Sequence, residues 1–245
     1  MNTSKEWFRS WFASPYYFKL YKHRNNDEAA LFITKLITLL RIKETDLILD
    51  AACGKGRHSI HLNSLGFDVT GIDLSEPSIA IAKKDENKTL RFHVHDIRNN
   101  FKNNHFDHIL NLFTSFGYFA DPNDNLKCLL AFKNGIKQNG NIIIDFMNAK
   151  KAINHMVEKD EKTIDGTHFK IEKRIESGFI KKKISFIDNN ENMEFEESVQ
   201  ALMIDDFERL FNSAGLKIKN IFGDYELNHF DEIKSDRLIF HTKKI

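Results

Sequence analysis

The stretch Leu47-Ile48-Leu49-Asp50-Ala51-Ala52-Cys53-Gly54-Lys55-Gly56 decides the fold. A short apolar run ends in an acid and runs into two glycines, and apolar residues then return at helical spacing at Ile60, Leu62 and Leu65, with Gly66 placed as a C-cap. That is a strand, a tight loop and a helix. Glycines let the loop turn sharply and let a ligand approach its backbone. A lone G-x-G is a weak signal, so the reading depends on the residues downstream of it. The strand expected over 67–72 ends at Asp73, 19 residues past Gly54, and the strand over 90–94 leads to Asp96. An acid at the first position can accept hydrogen bonds from both hydroxyls of a ribose. One at the second can take the amino group of an adenine, with Ile97 against the ring. Three successive strand ends thus present a glycine loop and two acids, and in an open α/β sheet ligands bind at those ends.

The alternation continues outward. A helix is expected over 27–40 and another over 78–84, a fourth strand over 108–112, a helix over 125–137, a turn at Asn139-Gly140 and a fifth strand over 141–146. Strands alternating with helices imply a parallel sheet with right-handed crossovers. After Asn148 the rhythm breaks: 167–174, 179–187 and 193–201 read as three strands joined by the turns Glu176-Ser177-Gly178 and Asp188-Asn189-Asn190, too close together for crossovers. A helix over 205–214 capped by Gly215, a strand over 216–222 and a last strand over 237–242 complete the chain. The expected organisation is a single α/β domain over 1–245, with an aromatic lid segment over 1–26 and an antiparallel insertion over 150–201 roofing the site. Pro15 divides the aromatic segment 7–21, in which Trp7 and Trp11 read as packing residues and Tyr17 and Tyr21 as lid candidates.

Composition narrows the function. Lys plus Arg number 36 and Asp plus Glu 35, a formal charge of +1 that disfavours a protein gripping nucleic acid through a basic face. The two cysteines, Cys53 and Cys128, have no zinc-type spacing, and no metal site is expected. Charges interrupt the aromatic N-terminus and Lys35 interrupts the longest apolar run, so neither a signal peptide nor a membrane span is read and a cytoplasmic location is expected. His58, His61, His93 and His95 read as structural, and Lys181-Lys182-Lys183 as a solvated edge. The residues leave two cofactors open, a dinucleotide or an adenosine carrying another group. Ser59 stands at the third glycine position of the dinucleotide fingerprint, and Asp50 would repel a pyrophosphate but suit the ammonium of a methionine moiety.

Asp50-x-x-x-Gly54-x-Gly56, Asp73 and Asp96 together resemble the class I S-adenosylmethionine-dependent methyltransferases, over nearly the whole chain. The segment Asn111-Leu112-Phe113-Thr114-Ser115-Phe116-Gly117-Tyr118 is more loosely similar to the amino-sugar N-methyltransferase subgroup, which also carries an antiparallel insertion after its fifth strand. This chain departs from that subgroup at Phe18, where an acid often comes after the tyrosine matched by Tyr17, and at Tyr118, where some members have His.

The resemblance implies a Rossmann-like seven-stranded sheet with its last strand antiparallel. It implies S-adenosylmethionine as cofactor, S-adenosylhomocysteine as product and a small-molecule methyl acceptor, N- or O-methylated. It places Asp50, Gly54 and Gly56 around the methionine part, Asp73 at the ribose and Asp96 at the adenine. Ala51, Leu74, Ile97, Leu112, Phe113, Tyr17 and Tyr21 are the further cofactor contacts expected, and Arg24 would pair with the cofactor's carboxylate. Tyr118, and His229 from the polar loop 223–237, are the candidates for orienting or deprotonating the acceptor. The competing readings are an NAD(P)-dependent oxidoreductase, against which the absence of a Tyr-x-x-x-Lys pair counts, and a non-catalytic binding module.

Overall fold

The computed structural model describes residues 6–22, 26–121 and 123–245. The chain opens with two short helices, α1 (Trp7–Ala13) and α2 (Pro15–Leu20), broken where Ser14 takes an extended conformation and its side chain accepts the Tyr16 N–H. Pro15 starts α2 at the one helical position where its missing N–H costs nothing. Next come α3 (Asn26–Leu40), β1 (Leu47–Ala51), α4 (Arg57–Ser64), β2 (Asp68–Asp73), α5 (Glu76–Ala82), β3 (Leu90–Val94), β4 (Phe106–Asn111), α6 (Asn123–Gly135) and β5 (Ile136–Met147). Beyond α7 (Ala149–Asn154) lie β6 (Lys159–Ile164), β7 (Thr167–Glu176), β8 (Phe179–Asp188) and β9 (Glu191–Gln200), then α8 (Ile204–Ala214), β10 (Leu216–Phe222) and β11 (Arg237–Lys244).

Seven strands form one sheet in the order β10-β11-β5-β4-β1-β2-β3. The pairs β1/β2, β1/β4, β2/β3 and β4/β5 are parallel, and β11 runs antiparallel to both β5 and β10. The expected mostly parallel sheet with an antiparallel last strand is the one observed. Its central strands are buried on both faces, which is why they read as unbroken apolar runs. One face packs on α6 and α8 through residues such as Phe132, Phe207 and Phe240, the other on α3, α4 and α5 through Phe32, Leu36 and Ile79. Strand order reverses between β1 and β4, so the loops after them part company there and leave a crevice.

Three expectations need correction. The insertion has four strands, not three, in the order β6-β7-β8-β9. The missed β6 is Lys-Asp-Glu-Lys-Thr-Ile, a largely exposed edge strand without apolar alternation. Asn139-Gly140 is not a turn preceding β5. That strand begins at Ile136 paired with Phe106, bulges over 137–140, and resumes pairing at Asn141 opposite His108. Finally, the insertion is not the roof of the cavity at the strand ends, to which residues 150–201 contribute no lining. Its inner face carries Phe169, Ile171, Ile184 and Phe186, which pack with Trp11 and Leu20, so it backs the N-terminal helices instead. Its three hairpins turn at Asp165-Gly166, Ser177-Gly178 and Asn189-Asn190, each with two residues at positive φ, the turn whose twist matches paired strands.

Candidate active site

The loop leaving β1 holds Ala52, Gly54 and Gly56 at φ +63, +57 and +82. The Asp73 carboxylate shapes it, accepting the Gly54 N–H and the Ser75 N–H at 2.8 Å each. A Cβ added at Gly54 would meet no protein atom, whereas one at Gly56 would lie 2.6 Å from the Phe92 ring. The backbone at Gly54 therefore borders open space, and that at Gly56 lies against the core. Burial raises the Asp73 pKa against those two N–H donors, and raises Asp50 to about 6 with help from the nearby Asp73 charge. Asp50 is fully buried and accepts the Ser59 hydroxyl at 2.6 Å.

Asp96 is clamped by Arg98, whose Nε reaches both carboxylate oxygens and which also pairs with Glu6 and Asp124. Burial alone would raise Asp96, but the Arg98 hydrogen bonds outweigh it and hold the carboxyl below its usual range. The loop after β4 is held from behind. Phe113 and Thr114 both take φ +60, a conformation that costs an ordinary residue roughly 1–2 kcal/mol. Buried Asp145 restrains them: its carboxylate accepts the Phe113 N–H at 2.7 Å and its carbonyl the Thr114 N–H at 3.0 Å. Arg237 donates to Asp145 at 2.8 Å and to the Thr114 hydroxyl at 2.9 Å.

These loops and the N-terminal helices enclose a cavity of about 360 Å³. Of the expected residues, Tyr17, Tyr21, Gly54, Asp73, Leu74, Asp96, Ile97, Leu112, Phe113 and Tyr118 line it. Asp50, Ala51 and Gly56 are absent from the lining, lying in the buried layer behind the loop. Arg24 falls outside the described residues. The structure does not bring His229 to the cavity: it is exposed, with Nδ1 bonded to the Phe230 carbonyl. The same loop supports the wall from outside the lining through Tyr225, which stacks on Phe113 at 5.0 Å. Lys55, Arg57, His58 and Phe18 also line the cavity and were not expected to. His58 stacks on Phe113 at 4.9 Å, and burial, then the Arg57 charge, lower its pKa to about 3. Tyr118 is packed among Trp7, Phe8 and Phe12, and its hydroxyl donates to the Thr114 carbonyl. Among the described residues no group of three His, Cys, Asp or Glu could hold a metal ion, and no helix is long and apolar enough to cross a membrane.

A family described as a methyltransferase domain matches residues 48–140, the segment that builds the glycine loop and both acids. Over those residues the chain carries a methyltransferase domain, and its fold is that of S-adenosylmethionine-dependent methyltransferases. The chain superposes on a solved S-adenosylmethionine-dependent methyltransferase from Clostridium acetobutylicum with a TM-score of 0.79, at 22% identity over 95% of this chain and 97% of that one. An amino pentose methyltransferase from Micromonospora echinaspora, solved with the cofactor bound, superposes at 0.68 with 17% identity over 95% and 98% of the two chains. A glycine/sarcosine/dimethylglycine N-methyltransferase of Actinopolyspora halophila is 27% identical over 84% of this chain, which spans just over a third (37%) of that longer enzyme. The cavity fits the cofactor: the open space beside Gly54, the half-buried carboxylate of Asp73 and the aromatic wall suit an adenosine with a cationic tail.

Proposed function

We propose that the protein is an S-adenosylmethionine-dependent methyltransferase that moves the methyl group to the nitrogen of a small amine held in the aromatic cavity. In this reading Asp73 takes the ribose hydroxyls, Asp96 and Ile97 take the adenine, and the backbone around Gly54 faces the methionine part. Helices α1 and α2 are the lid. When bound, the cofactor supplies an electrophilic methyl on a sulfonium, so the protein need only align the acceptor and keep water out. The observation that carries the reading is the lid itself: Phe8, Phe12, Tyr17, Phe18 and Tyr21 wall a space of about 360 Å³, suited to a small molecule rather than a polymer. Aromatic faces favour a nitrogen that becomes or stays cationic. The relatives named for glycine, sarcosine and an amino pentose act on amines, which agrees.

In this reading Tyr118 is the residue that acts on the acceptor. Because its hydroxyl proton is engaged by the Thr114 carbonyl, its oxygen meets an acceptor nitrogen as a hydrogen-bond acceptor, orienting an N–H and accepting positive charge nearby. His58, held neutral by burial, serves as a flat wall beside Phe113. The test is a metabolite extract incubated with the purified protein and methyl-labelled cofactor. Label recovered as N-methyl by NMR supports the reading, and label recovered as an O-methyl ether or ester overturns it. Tyr118→Phe should lower kcat about tenfold while the cofactor Kd stays unchanged, the pattern of a group that acts on the acceptor in the transition state.

A further inference from the structure

The cavity wall carries a cation that its own carboxylates do not neutralise. Lys55 places its Nζ 3.1 Å from the centre of the Phe18 ring, and among the described residues it forms no ion pair with a carboxylate. Arg57 lies over Phe113 at 4.7 Å, with a guanidinium nitrogen 3.3 Å from His58 Nε2. The two carboxylates in the lining are otherwise engaged: Asp73 accepts two backbone N–H groups, and Asp96 is neutralised by Arg98. Lys22, at the rim, is paired with Asp165. The cofactor adds a sulfonium and an ammonium against one carboxylate, a net charge of +1. With it bound, Lys55, Arg57 and the cofactor together outweigh Asp73 and the buried Asp50 behind it, and a neutral or cationic acceptor would leave that excess uncompensated in a partly desolvated space.

Resting on the amine reading, we propose that the acceptor carries an anionic group, a carboxylate or a phosphate, bound by Lys55 with Arg57 beside it. The Phe18 ring then holds the Lys55 ammonium through its π-face until an anion takes its place. Burial that lowers the Lys55 pKa acts in the same direction, since an arriving anion restores the stability of the charged form. Both side chains leave the segment that joins the glycine loop to α4, so the acceptor's anionic end is fixed relative to the methyl donor.

The experiment is calorimetric titration of the full chain loaded with S-adenosylhomocysteine. The probes are glycine, glycinamide, glucosamine 6-phosphate, glucosamine and inorganic phosphate. Glycine should bind at least about tenfold tighter than glycinamide, or glucosamine 6-phosphate than glucosamine, and the pair that discriminates tells carboxylate from phosphate. Lys55→Met should remove that preference, Lys55→Arg should keep it, and the Kd for S-adenosylhomocysteine should stay within about threefold in both. Melting curves identify a variant that has not folded, in which case Lys55→Gln replaces it. Equal binding of charged and uncharged probes, or no anion binding by the loaded protein, overturns the subsite while leaving the amine reading in place. A tenfold loss of S-adenosylhomocysteine affinity in Lys55→Met with the preference intact assigns the lysine to the cofactor's carboxylate and overturns it too. Label on oxygen in the extract assay removes the amine reading, whatever these titrations show.

Discussion

Gly54 lies in the loop after β1 and Gly71 in β2 against that loop's Cys53, and a methyl group added at each meets a different environment. At Gly54 the Cβ enters open space, and the only penalty is φ +57, worth roughly 1–2 kcal/mol. At Gly71 it would stand 2.6 Å from the Phe92 ring and 2.9 Å from Cys53 Sγ, both buried. Gly54→Ala should therefore fold and bind S-adenosylmethionine at least about tenfold more weakly, because its methyl occupies space beside the cofactor's backbone contact. Gly71→Ala should instead lose about 1–3 kcal/mol in urea denaturation, with the larger effect on stability than on binding. Calorimetry and denaturation on the same two proteins decide it, and the reverse pattern would remove the loop from the site. Gly54, Asp73 and Asp96 were legible in the sequence because strand ends are set by hydrophobic patterning and their acids mark the ends. Lys55, Arg57 and His58 were not. They sit where loop becomes helix, and whether a side chain there turns toward ligand or solvent depends on φ values such as Gly56 at +82, which no periodicity encodes.

At the level of elements, a file of hydrogen bonds crosses the sheet at the end opposite the cavity. The His108 Nε2–Asp46 pair at 3.0 Å leads from the start of β1 to β4. Asn141 on β5 then bonds His108 Nδ1 at 3.1 Å and His241 Nε2 on β11 at 2.9 Å, and His241 Nδ1 meets Asn220 on β10 at 3.1 Å. The bulge over 137–140 is what brings Asn141 opposite His108. Burial lowers His108 against the pull of Asp46, and lowers His241 to about 4. Below its ordinary 6.5 the unfolded chain takes up a proton at His241 that the folded one refuses, so stability falls as pH drops from 6.5 toward 4. By pH 5 the wild type should have lost about 2 kcal/mol more, relative to pH 7.5, than His241→Gln, as read from urea midpoints at each pH. Identical pH slopes would refute the buried neutral imidazole. The elements themselves obey local pattern where one face is buried and escape it elsewhere. Strand β6 has no apolar alternation because both its faces are largely wet, although Asp165-Gly166 is a strong hairpin signal and pointed to a strand before it. His229 was misplaced for a related reason: the loop after β10 does emerge at the cavity's end of the sheet, but Tyr225 turns inward and His229 outward.

Across the whole molecule, a set of polar contacts joins the insertion to the N-terminal helices. Glu197 on β9 accepts hydrogen bonds from Trp11 Nε1 at 2.7 Å and the Tyr21 hydroxyl at 2.6 Å, and Lys182 donates to the same hydroxyl. Tyr16 to Asp188 and Lys19 to Thr167, each at 2.6 Å, repeat the attachment. The far end of the insertion is tied to the loop after β4 by the Gln200 N–H on the Gly117 carbonyl. Glu197→Leu should leave the midpoint of global unfolding within about 1 kcal/mol, since the sheet core does not depend on it, and raise the rate of cofactor release about tenfold in stopped flow. An unchanged release rate would show that the lid does not govern exit. This attachment has a consequence for the time at which the cavity closes. Trp11 and its partner Glu197 are 186 residues apart, so in a chain emerging from the ribosome the strand ends at the cavity exist long before anything is available to seat α1. The chain's two tryptophans, Trp7 and Trp11, both lie in α1, so their fluorescence reports the seating of this helix and little else. In refolding from urea the far-ultraviolet signal of the sheet should recover first and the tryptophan emission later, making closure of the active site the last step in the birth of the enzyme.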